Sequence, residues 1–136
     1  MELNKVPSPK TYILSKQDKP ALEKAMLDIG FPIVLKIPDG AFSQGVFKVS
    51  TPEEFEAKIQ KLFQKSALVL AQEFMYTDFD WRIGVINNKP LYACRYYMAK
   101  DHRQIYNHAS KNSRFTSGGF DTMPTYEAPK PVLDAA

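Results

Sequence analysis

The chain has 136 residues, of which 44% are hydrophobic and 24% are charged, so it can bury a core in one compact domain or two small lobes and is not expected to be disordered. Its net charge of +3 permits binding to nucleic acid but does not require it. The single cysteine, Cys94, excludes an internal disulfide and a thiolate metal cluster, and no run of about eighteen apolar residues predicts a membrane span, so a cytoplasmic protein is expected.

The first part of the chain is predicted to alternate strands and helices. Residues 1–8 read as a linker, and a short strand follows at Thr11–Leu14. The segment Ser15–Gly30 is a predicted helix that stops at a glycine suited to a left-handed conformation. Its apolar residues recur at the spacing of one helical face: Leu22, Ala25, Met26 and Ile29.

A hairpin and a second helix are predicted next. Phe31–Ile37 is apolar on both sides, which indicates a central strand, and Val46–Val49 is its predicted hairpin partner. Thr51 suits the N-cap of the second helix, with Pro52 at the first helical position and Glu54 three residues past the cap. The apolar face of this helix is predicted to be Phe55, Ile59, Leu62 and Phe63.

The pattern changes after another apolar strand at Ala67–Phe74. Antiparallel strands are predicted at Trp81–Ile86 and Leu91–Tyr97, joined by a turn at Asn87–Pro90, with a weaker strand near Gln104–His108. Residues 109–124 are polar and contain glycine, which predicts a loop. The order of elements predicts an α+β fold with one lobe at 9–74 and a second at 75–136.

Lys36 ends the predicted central strand and stands directly before a loop of small and flexible residues. A lysine buried without a partner is costly, so Lys36 is expected either at an exposed strand end or against an anion. Gly40 and Gly45 would let backbone N–H groups approach that anion, and Ser43 and Gln44 add donors. The pattern predicts a phosphate site, with a surface lysine beside an ordinary hairpin loop as the alternative.

The end of the strand Ala67–Phe74 falls just before the predicted boundary between the lobes. A segment that crosses between two lobes exposes backbone groups that can pair with the edge of an adenine, and Phe74 offers it apolar surface. The alternative is that Glu73 merely ends a strand in solvent.

Asp80, Arg82 and Arg95 are predicted to share one face of the second sheet. Alternation along a strand points Asp80 and Arg82 to the same side, and the hairpin would bring Arg95 near them. One acid and two arginines suit a ligand that carries hydroxyl groups and negative charge. A cross-strand set of salt bridges on a solvated sheet is equally compatible with the pattern.

Other candidate residues have simpler explanations. His102 and His108 lack the carboxylate or cysteine neighbours of a metal site, so no metal ligands are predicted in this chain. Cys94 has no identified base, which favours a packing role. Four tyrosines could stack on bases, although a half-buried sheet uses tyrosine in the same way: Tyr92, Tyr96, Tyr97 and Tyr106.

Five segments occur together in a characteristic order. They are PKT at Pro9–Thr11, PIVLKIPDGAFSQGV at Pro32–Val46, AQEF at Ala71–Phe74, DWRIGVINNKPLYACR at Asp80–Arg95, and SGG at Ser117–Gly119. In combination they resemble the ATP-grasp ligases, most closely the branch that includes RimK-type glutamate ligases and bacterial glutathione synthetase. The resemblance implies the central (lid) subdomain of that fold at 9–74, followed at 75–136 by the first antiparallel strands of its C-terminal subdomain.

The resemblance implies a nucleotide site in the first lobe. Lys10 and Lys36 would contact the phosphates of ATP, beneath a flexible flap at Asp39–Gly45. The backbone at Glu73 and Phe74 would meet the adenine.

In the second lobe, the resemblance implies that Asp80 holds the ribose hydroxyls. Arg82 and Arg95 would be catalytic residues that face the phosphates or the carboxylate substrate. Asn107 matches a nucleotide-binding asparagine. The place of the arginine that precedes this asparagine in the family falls on Gln104 or Ile105, with Arg103 just before, so the phosphate contact of this segment is not carried over.

The cofactors implied by the resemblance are ATP and magnesium. The end of the chain is predicted to begin a helix near Pro131, and the family's magnesium ligands lie on strands beyond such a helix. This chain is therefore expected to be a portion of a longer ligase and inactive by itself. The parent would join a carboxylate to an amine through an acyl-phosphate, with glutamate or peptide ligation expected; the sequence names neither substrate and leaves homo-oligomerisation open. The alternative is a binding module without chemistry that uses a basic, tyrosine-rich sheet to hold nucleic acid or a protein.

Overall fold

The computed structural model describes residues 6–38, 45–98 and 118–136. The chain divides into two compact units, Met1–Met75 and Tyr76–Ala136. The first contains a four-stranded sheet with strand order β1-β4-β2-β3, here called sheet A, and two helices. The second contains a three-stranded sheet with strand order β5-β6-β7, here called sheet B. The strands described in both sheets pair antiparallel, which gives the α+β class that the sequence predicts.

The described elements follow one another in this order: β1 (Thr11–Ser15), α1 (Lys19–Ile29), β2 (Ile33–Lys36), β3 (Val46–Val49), α2 (Pro52–Leu62), β4 (Leu68–Glu73), β5 (Phe79–Ile86), β6 (Lys89–Tyr97), β7 (Phe120–Met123), a short 3-10 turn (Thr125–Glu127) and α3 (Lys130–Asp134). The predicted hairpin of β2 and β3 is confirmed, and β2 is a central strand. Strand β4 lies between β1 and β2, an insertion that no local pattern in the sequence predicts. Among the described helices, none is long and apolar enough to cross a membrane.

Helix α1 begins later than the sequence predicts. The side chain of Asp18 accepts a hydrogen bond from the backbone N–H of Ala21 at 3.1 Å, so Asp18 is the N-cap and the chain is still in β1 at Ser15. The predicted stop at Gly30 is confirmed, because α1 ends at Ile29 and Gly30 is its C-cap. The predicted left-handed conformation is not found, because φ is 73° but ψ is 162°. Ala25 is buried on the predicted apolar face of α1.

Helix α2 begins as predicted. Oγ1 of Thr51 accepts a hydrogen bond from the backbone N–H of Glu54 at 3.2 Å, and Pro52 occupies the first helical position. The carboxylate of Glu54 accepts from the N–H of Ser50 at 2.7 Å, one residue before the cap. Three of the four predicted apolar residues of α2 are buried, and the fourth, Phe63, is partly buried against the core.

The main hydrophobic core lies between sheet A and helices α1 and α2. Ten buried residues form it: Leu14, Ala25, Ile33, Leu35, Val49, Phe55, Ile59, Leu62, Val69 and Ala71. Strand residues alternate in direction, so the residues between these project from the opposite side of sheet A, which we call the helix-free face. It carries Thr11, Ile13 and Ser15 of β1, Val34 and Lys36 of β2, Val46 and Lys48 of β3, and Leu68, Leu70 and Gln72 of β4.

The hairpin of sheet B is tighter than predicted. Its turn contains two residues, Asn87 and Asn88, both with positive φ (49° and 58°), whereas Lys89 and Pro90 already belong to β6. The pairing of β5 with β6 also shifts by one residue between Gly84 and Val85.

Strand β7 corrects the prediction of a loop over residues 109–124. Phe120–Met123 pairs with β6, with Asp121 directly opposite Arg95. Gly118, just before β7, lies against the carbonyl of Tyr97, where a Cβ would be 1.8 Å from the carbonyl oxygen, so only glycine fits. The strand predicted near Gln104–His108 lies outside the described residues.

Candidate functional site

Lys36 is the last residue of β2 and projects onto the helix-free face. Its ammonium group donates a hydrogen bond to Oε1 of Gln72 on β4 at 2.8 Å. Nε2 of Gln72 donates to Oγ1 of Thr11 on β1 at 2.8 Å, and that hydroxyl donates to the carbonyl oxygen of Pro9, also at 2.8 Å. These bonds form a continuous chain across adjacent strands, which we call the polar relay.

Lys10 lies on the other side of sheet A. Its ammonium group donates to the backbone carbonyl oxygen of Asp28 near the end of α1, at 2.9 Å. The neighbouring hydroxyl of Tyr12 bonds to the carboxylate of Asp28, and this bond raises the pKa of Tyr12. In this structure the two ammonium groups bond on opposite sides of sheet A, and their joint contact with one triphosphate stays a prediction.

Among the predicted contacts in the phosphate loop, Gly45 belongs to the part of the chain that the structure describes. Its φ is 76°, and a Cβ at this position would come within 2.9 Å of the Ile37 side chain, so glycine is required on both grounds. Three other predicted contacts in this loop, Gly40, Ser43 and Gln44, lie outside the described residues.

Glu73 and Phe74, the predicted adenine contacts, are both engaged within the first unit. The backbone N–H of Glu73 donates to the carbonyl oxygen of Lys10 at 2.9 Å, and its carboxylate accepts from the N–H of Lys10 at 3.3 Å. The ammonium group of Lys48 lies over the ring of Phe74, 3.9 Å from its centroid. No motif in the sequence singles out Lys48, although its alternation with Val46 in β3 places it on the same face as Lys36.

Asp80, Arg82 and Arg95 do not share one face of sheet B. Arg95 stands opposite Trp81, whereas Asp80 stands opposite Tyr96. A four-residue turn would have set Arg95 directly opposite Arg82, but the two-residue turn and the irregularity at Gly84 shift the register by one residue. Because a shift of one residue inverts the side on which every side chain lies, Arg95 projects from the opposite face.

Arg82 and Asp80 lie on the face of sheet B that carries an aromatic stack. The guanidinium carbon of Arg82 is 4.5 Å from the centroid of the Tyr96 ring. Tyr96 stacks on Phe120 of β7, with centroids 5.6 Å apart and ring planes 20° apart. The carboxylate of Asp80 accepts a weak hydrogen bond from Oγ1 of Thr77 at 3.4 Å.

Arg95 forms a two-pronged ion pair with Asp121 of β7. Its Nε donates to one carboxylate oxygen at 3.2 Å and its Nη2 to the other at 2.6 Å, and the hydroxyl of Tyr97 adds a bond of 3.3 Å. The guanidinium hydrogen bonds lower the pKa of the Asp121 carboxyl and raise that of Arg95. Three aromatic rings surround the guanidinium carbon at 5.5–5.9 Å: Phe79, Trp81 and Tyr97.

The described residues show no group of three His, Cys, Asp or Glu side chains that could hold a metal ion. Asn107, His102 and His108 lie outside them. Cys94 is buried, with its sulfur 3.0 Å from Oγ1 of Thr122, which agrees with the predicted packing role.

Comparison with known proteins points to one family. The model of a family described as the C-terminus of D-Ala D-Ala ligase matches residues 6–129. The D-alanine–D-alanine ligase of Acinetobacter baumannii is 31% identical over 70 residues, which are 52% of this chain and 22% of that ligase.

Solved structures show the same fold at low sequence identity. The D-alanine–D-alanine ligase of Bacillus anthracis is 18% identical with a TM-score of 0.69, covering 98% of this chain and 44% of that one. The ATP-grasp ligase PsnB, solved with a minimal precursor, Mg and ADP, is 20% identical with a TM-score of 0.65, covering 98% of this chain and 36% of that one. The fold is therefore the predicted ATP-grasp fold, and the chain spans less than half the length of these relatives.

Proposed function

The chain belongs to the family of D-Ala D-Ala ligase C-terminal domains, and from this membership we propose that it is the ATP-binding portion of an ATP-dependent carboxylate–amine ligase. Residues 9–74 would be the central subdomain of the ATP-grasp fold, after a linker at 1–8, and residues 75–136 would be part of its C-terminal subdomain. PsnB, which has the same fold, was solved with ADP and Mg, and this supports ATP and magnesium as the cofactors.

The observation that carries the proposal is the position of Lys36. Its backbone stands at the start of the loop that ends in Gly45, and its ammonium group lies on the helix-free face with the apolar residues Val34 and Leu70, held by Gln72. A cation next to apolar surface suits the phosphates and the base of a nucleotide. We assign the phosphates to Lys36 and the loop, with Lys10 as a second predicted contact, and the adenine to the backbone at Glu73 and Phe74. In this structure the ammonium group of Lys10 bonds instead to the carbonyl oxygen of Asp28.

The reaction we propose has two steps. A carboxylate oxygen of the acid substrate attacks the γ-phosphorus of ATP, so ADP leaves and an acyl-phosphate forms. The nitrogen of the amine substrate then attacks the acyl carbon, and inorganic phosphate leaves as the amide bond forms. Arg82 and Arg95 are positively charged groups suited to the negative charge that develops. The described residues offer no metal site, so no step is assigned to a protein-bound ion.

Arg82 and Arg95 receive separate roles because they lie on opposite faces of sheet B. Arg82 shares its face with Asp80, so we assign this pair to the nucleotide, with Asp80 on the ribose hydroxyls. Arg95 is assigned to the carboxylate substrate, for which its planar guanidinium is suited.

The substrates are assigned by resemblance alone. Glutamate or peptide ligation, as in the RimK-type and glutathione synthetase branch, is our preferred reaction, and the similarity to D-alanine–D-alanine ligases makes a D-amino acid the competing choice. A cytoplasmic location is proposed, because ATP is abundant there and the single cysteine suits a reducing compartment.

Calorimetric titration with MgATP tests the proposal. Lys36→Ala is expected to weaken binding about ten- to hundredfold, the usual effect of losing a hydrogen bond to a charged group. Lys24→Ala is the matched control, because it removes one positive charge from the exposed side of α1. Equal losses in the two variants, or no loss in either, would contradict the proposed phosphate site.

The competing function, a binding module for nucleic acid, has one observation in its favour. Arg82, Tyr96 and Phe120 form a layered stack, and Phe120 is 66% exposed, so its ring could stack on a base. Binding of a single-stranded oligonucleotide that weakens steeply with salt and is unaffected by MgATP would favour this function over the ligase.

A further inference from the structure

We propose that Gln72 and Thr11 are positioning residues that hold the ammonium group of Lys36 in place for the phosphates of the nucleotide. The inference rests on the proposed function and adds to it a specific device, the polar relay. Neither residue is assigned a contact with ATP itself, so each acts through Lys36.

The direction of each hydrogen bond in the polar relay, from donor to acceptor, is fixed by the bond at Pro9. The carbonyl oxygen of Pro9 can only accept a hydrogen bond, so the hydroxyl hydrogen of Thr11 is committed to it. Oγ1 of Thr11 must then accept from Gln72, and this fixes Nε2 of Gln72 toward β1 and its Oε1 toward β2. Lys36 can only donate, and Oε1 is the atom that it meets. Each of the three bonds therefore joins one donor to one acceptor, and the side-chain amide of Gln72 has one favourable orientation.

The relay gives a flexible side chain one preferred position. A lysine stem has four rotatable carbons and loses considerable rotamer entropy when it is fixed. The bond to Gln72 draws the Lys36 side chain back along the helix-free face, since the backbone of Lys36 is paired with Leu70 rather than with Gln72. An ammonium has three N–H donors and this bond uses one, so the cation keeps donors for an anion.

The absence of charge on the Gln72 side chain matters for the proposed role of the polar relay. A carboxylate at this position would also hold Lys36, but it would neutralise the charge that attracts phosphate. An amide holds the ammonium without cancelling its charge.

A purely structural relay is the competing explanation. Side-chain bonds between β1, β4 and β2 could serve only to fasten the strands of sheet A together. In that case, removing them would lower stability, and any effect on nucleotide affinity would be independent of Lys36.

Calorimetric titrations with MgATP and with adenosine separate the two explanations. The variants are Gln72→Met, which keeps the length of the side chain, Thr11→Val, which keeps its shape, and Thr11→Ser, which restores the hydroxyl. Each of the first two is expected to weaken MgATP binding about three- to tenfold, the usual effect of one hydrogen bond, and to leave adenosine affinity unchanged. Thr11→Ser is expected to bind MgATP as the wild type does.

A double-mutant cycle shows whether the effect passes through Lys36. In a Lys36→Ala background, Thr11→Val and Gln72→Met are expected to cause no further loss of MgATP affinity. A further loss of the same size as in the wild type would overturn the inference, and so would unchanged affinity in the single variants. If Lys36→Ala has no effect on MgATP affinity, the proposed phosphate site is wrong and the inference fails with it. If Lys36→Ala weakens binding but Thr11→Val and Gln72→Met do not, only the inference fails.

Discussion

At the scale of single residues, the cross-strand pair of Arg95 and Asp121 gives a predicted site residue a partner that the sequence does not suggest. The sequence predicts Arg95 beside Asp80, but the structure gives it Asp121 as its carboxylate partner, with a cage of aromatic rings around the guanidinium. Both side chains remain partly exposed, at 34% and 41%, so the pair is screened by water and its contribution to stability is modest.

The pair predicts a pH dependence of stability with a definite sign. The hydrogen bonds from Arg95 lower the pKa of Asp121 in the folded state, so the pair stabilises the fold fully above the ordinary carboxyl pKa of about 4. This stabilisation is lost as the pH falls through the lowered folded-state value. Asp121→Asn is therefore expected to lower the melting temperature at neutral pH, with a difference from the wild type that vanishes in acid.

Melting curves of the wild type and the Asp121→Asn variant between neutral pH and pH values below 4 test this expectation. Asp134→Asn is the matched control, because it removes a carboxylate from an ion pair with Lys130 whose side chains are 60% and 83% exposed. A difference for Asp121→Asn that persists unchanged in acid would show that its carboxylate charge is not the cause.

At the scale of elements, helix α2 shows which signals in a sequence are sufficient to predict where a helix begins and which face it buries. Its N-cap, its first-turn proline and its buried face are all set by residues within one or two turns of each other, and all are found as predicted. Helix α1 has the same kind of signal in Asp18 and Pro20, whereas apolar spacing alone does not locate its first residue and predicts a start at Ser15.

The cap of α2 is expected to contribute measurably to stability. Thr51→Ala removes the acceptor for the N–H of Glu54 and is expected to lower the free energy of unfolding by about 1 kcal/mol. Thr51→Ser keeps the oxygen and is expected to retain most of the stability. Urea denaturation of the three proteins measures the difference, and equal losses in both variants would indicate that the methyl group, rather than the hydrogen bond, matters.

At the scale of the whole molecule, the two units differ in how they are built. The first has the core of ten buried residues beneath two helices. Among the described residues of the second, the buried apolar ones are small: Ala93, Cys94 and Ala128. Aromatic side chains stand instead on both faces of sheet B.

This difference predicts which of the two units a core mutation destabilises. Ile59 is 1% exposed in the core of the first unit, and Ile59→Ala is expected to cost about 2–5 kcal/mol. Hydrogen exchange is the suitable measurement, because it reports the stability of each strand separately. Protection of β2 and β4 is expected to fall while that of β5 and β6 stays the same, and an equal fall in both sheets would contradict a separate core for the first unit.

Features with local causes can be recognised from the sequence alone. The α+β class, the β2–β3 hairpin, the start of α2, the stop at Gly30 and the position of Lys36 at a strand end all depend on residues close together in the chain. Hydrophobic spacing, capping residues and glycine conformations act over one or two turns, so they can be recognised without knowing the rest of the fold.

Contacts between distant residues depend instead on how the strands assemble. Thr11 and Gln72 are 61 positions apart and form the polar relay because β4 inserts between β1 and β2. Arg95 changes face because the hairpin shifts by one residue, and it gains Asp121 because residues 120–123 form a strand. The physical reason is the same in each case, because strand order and register depend on the packing of the whole sheet. A register shift of one residue moves every side chain of the strand to the other face of the sheet without altering the local sequence pattern.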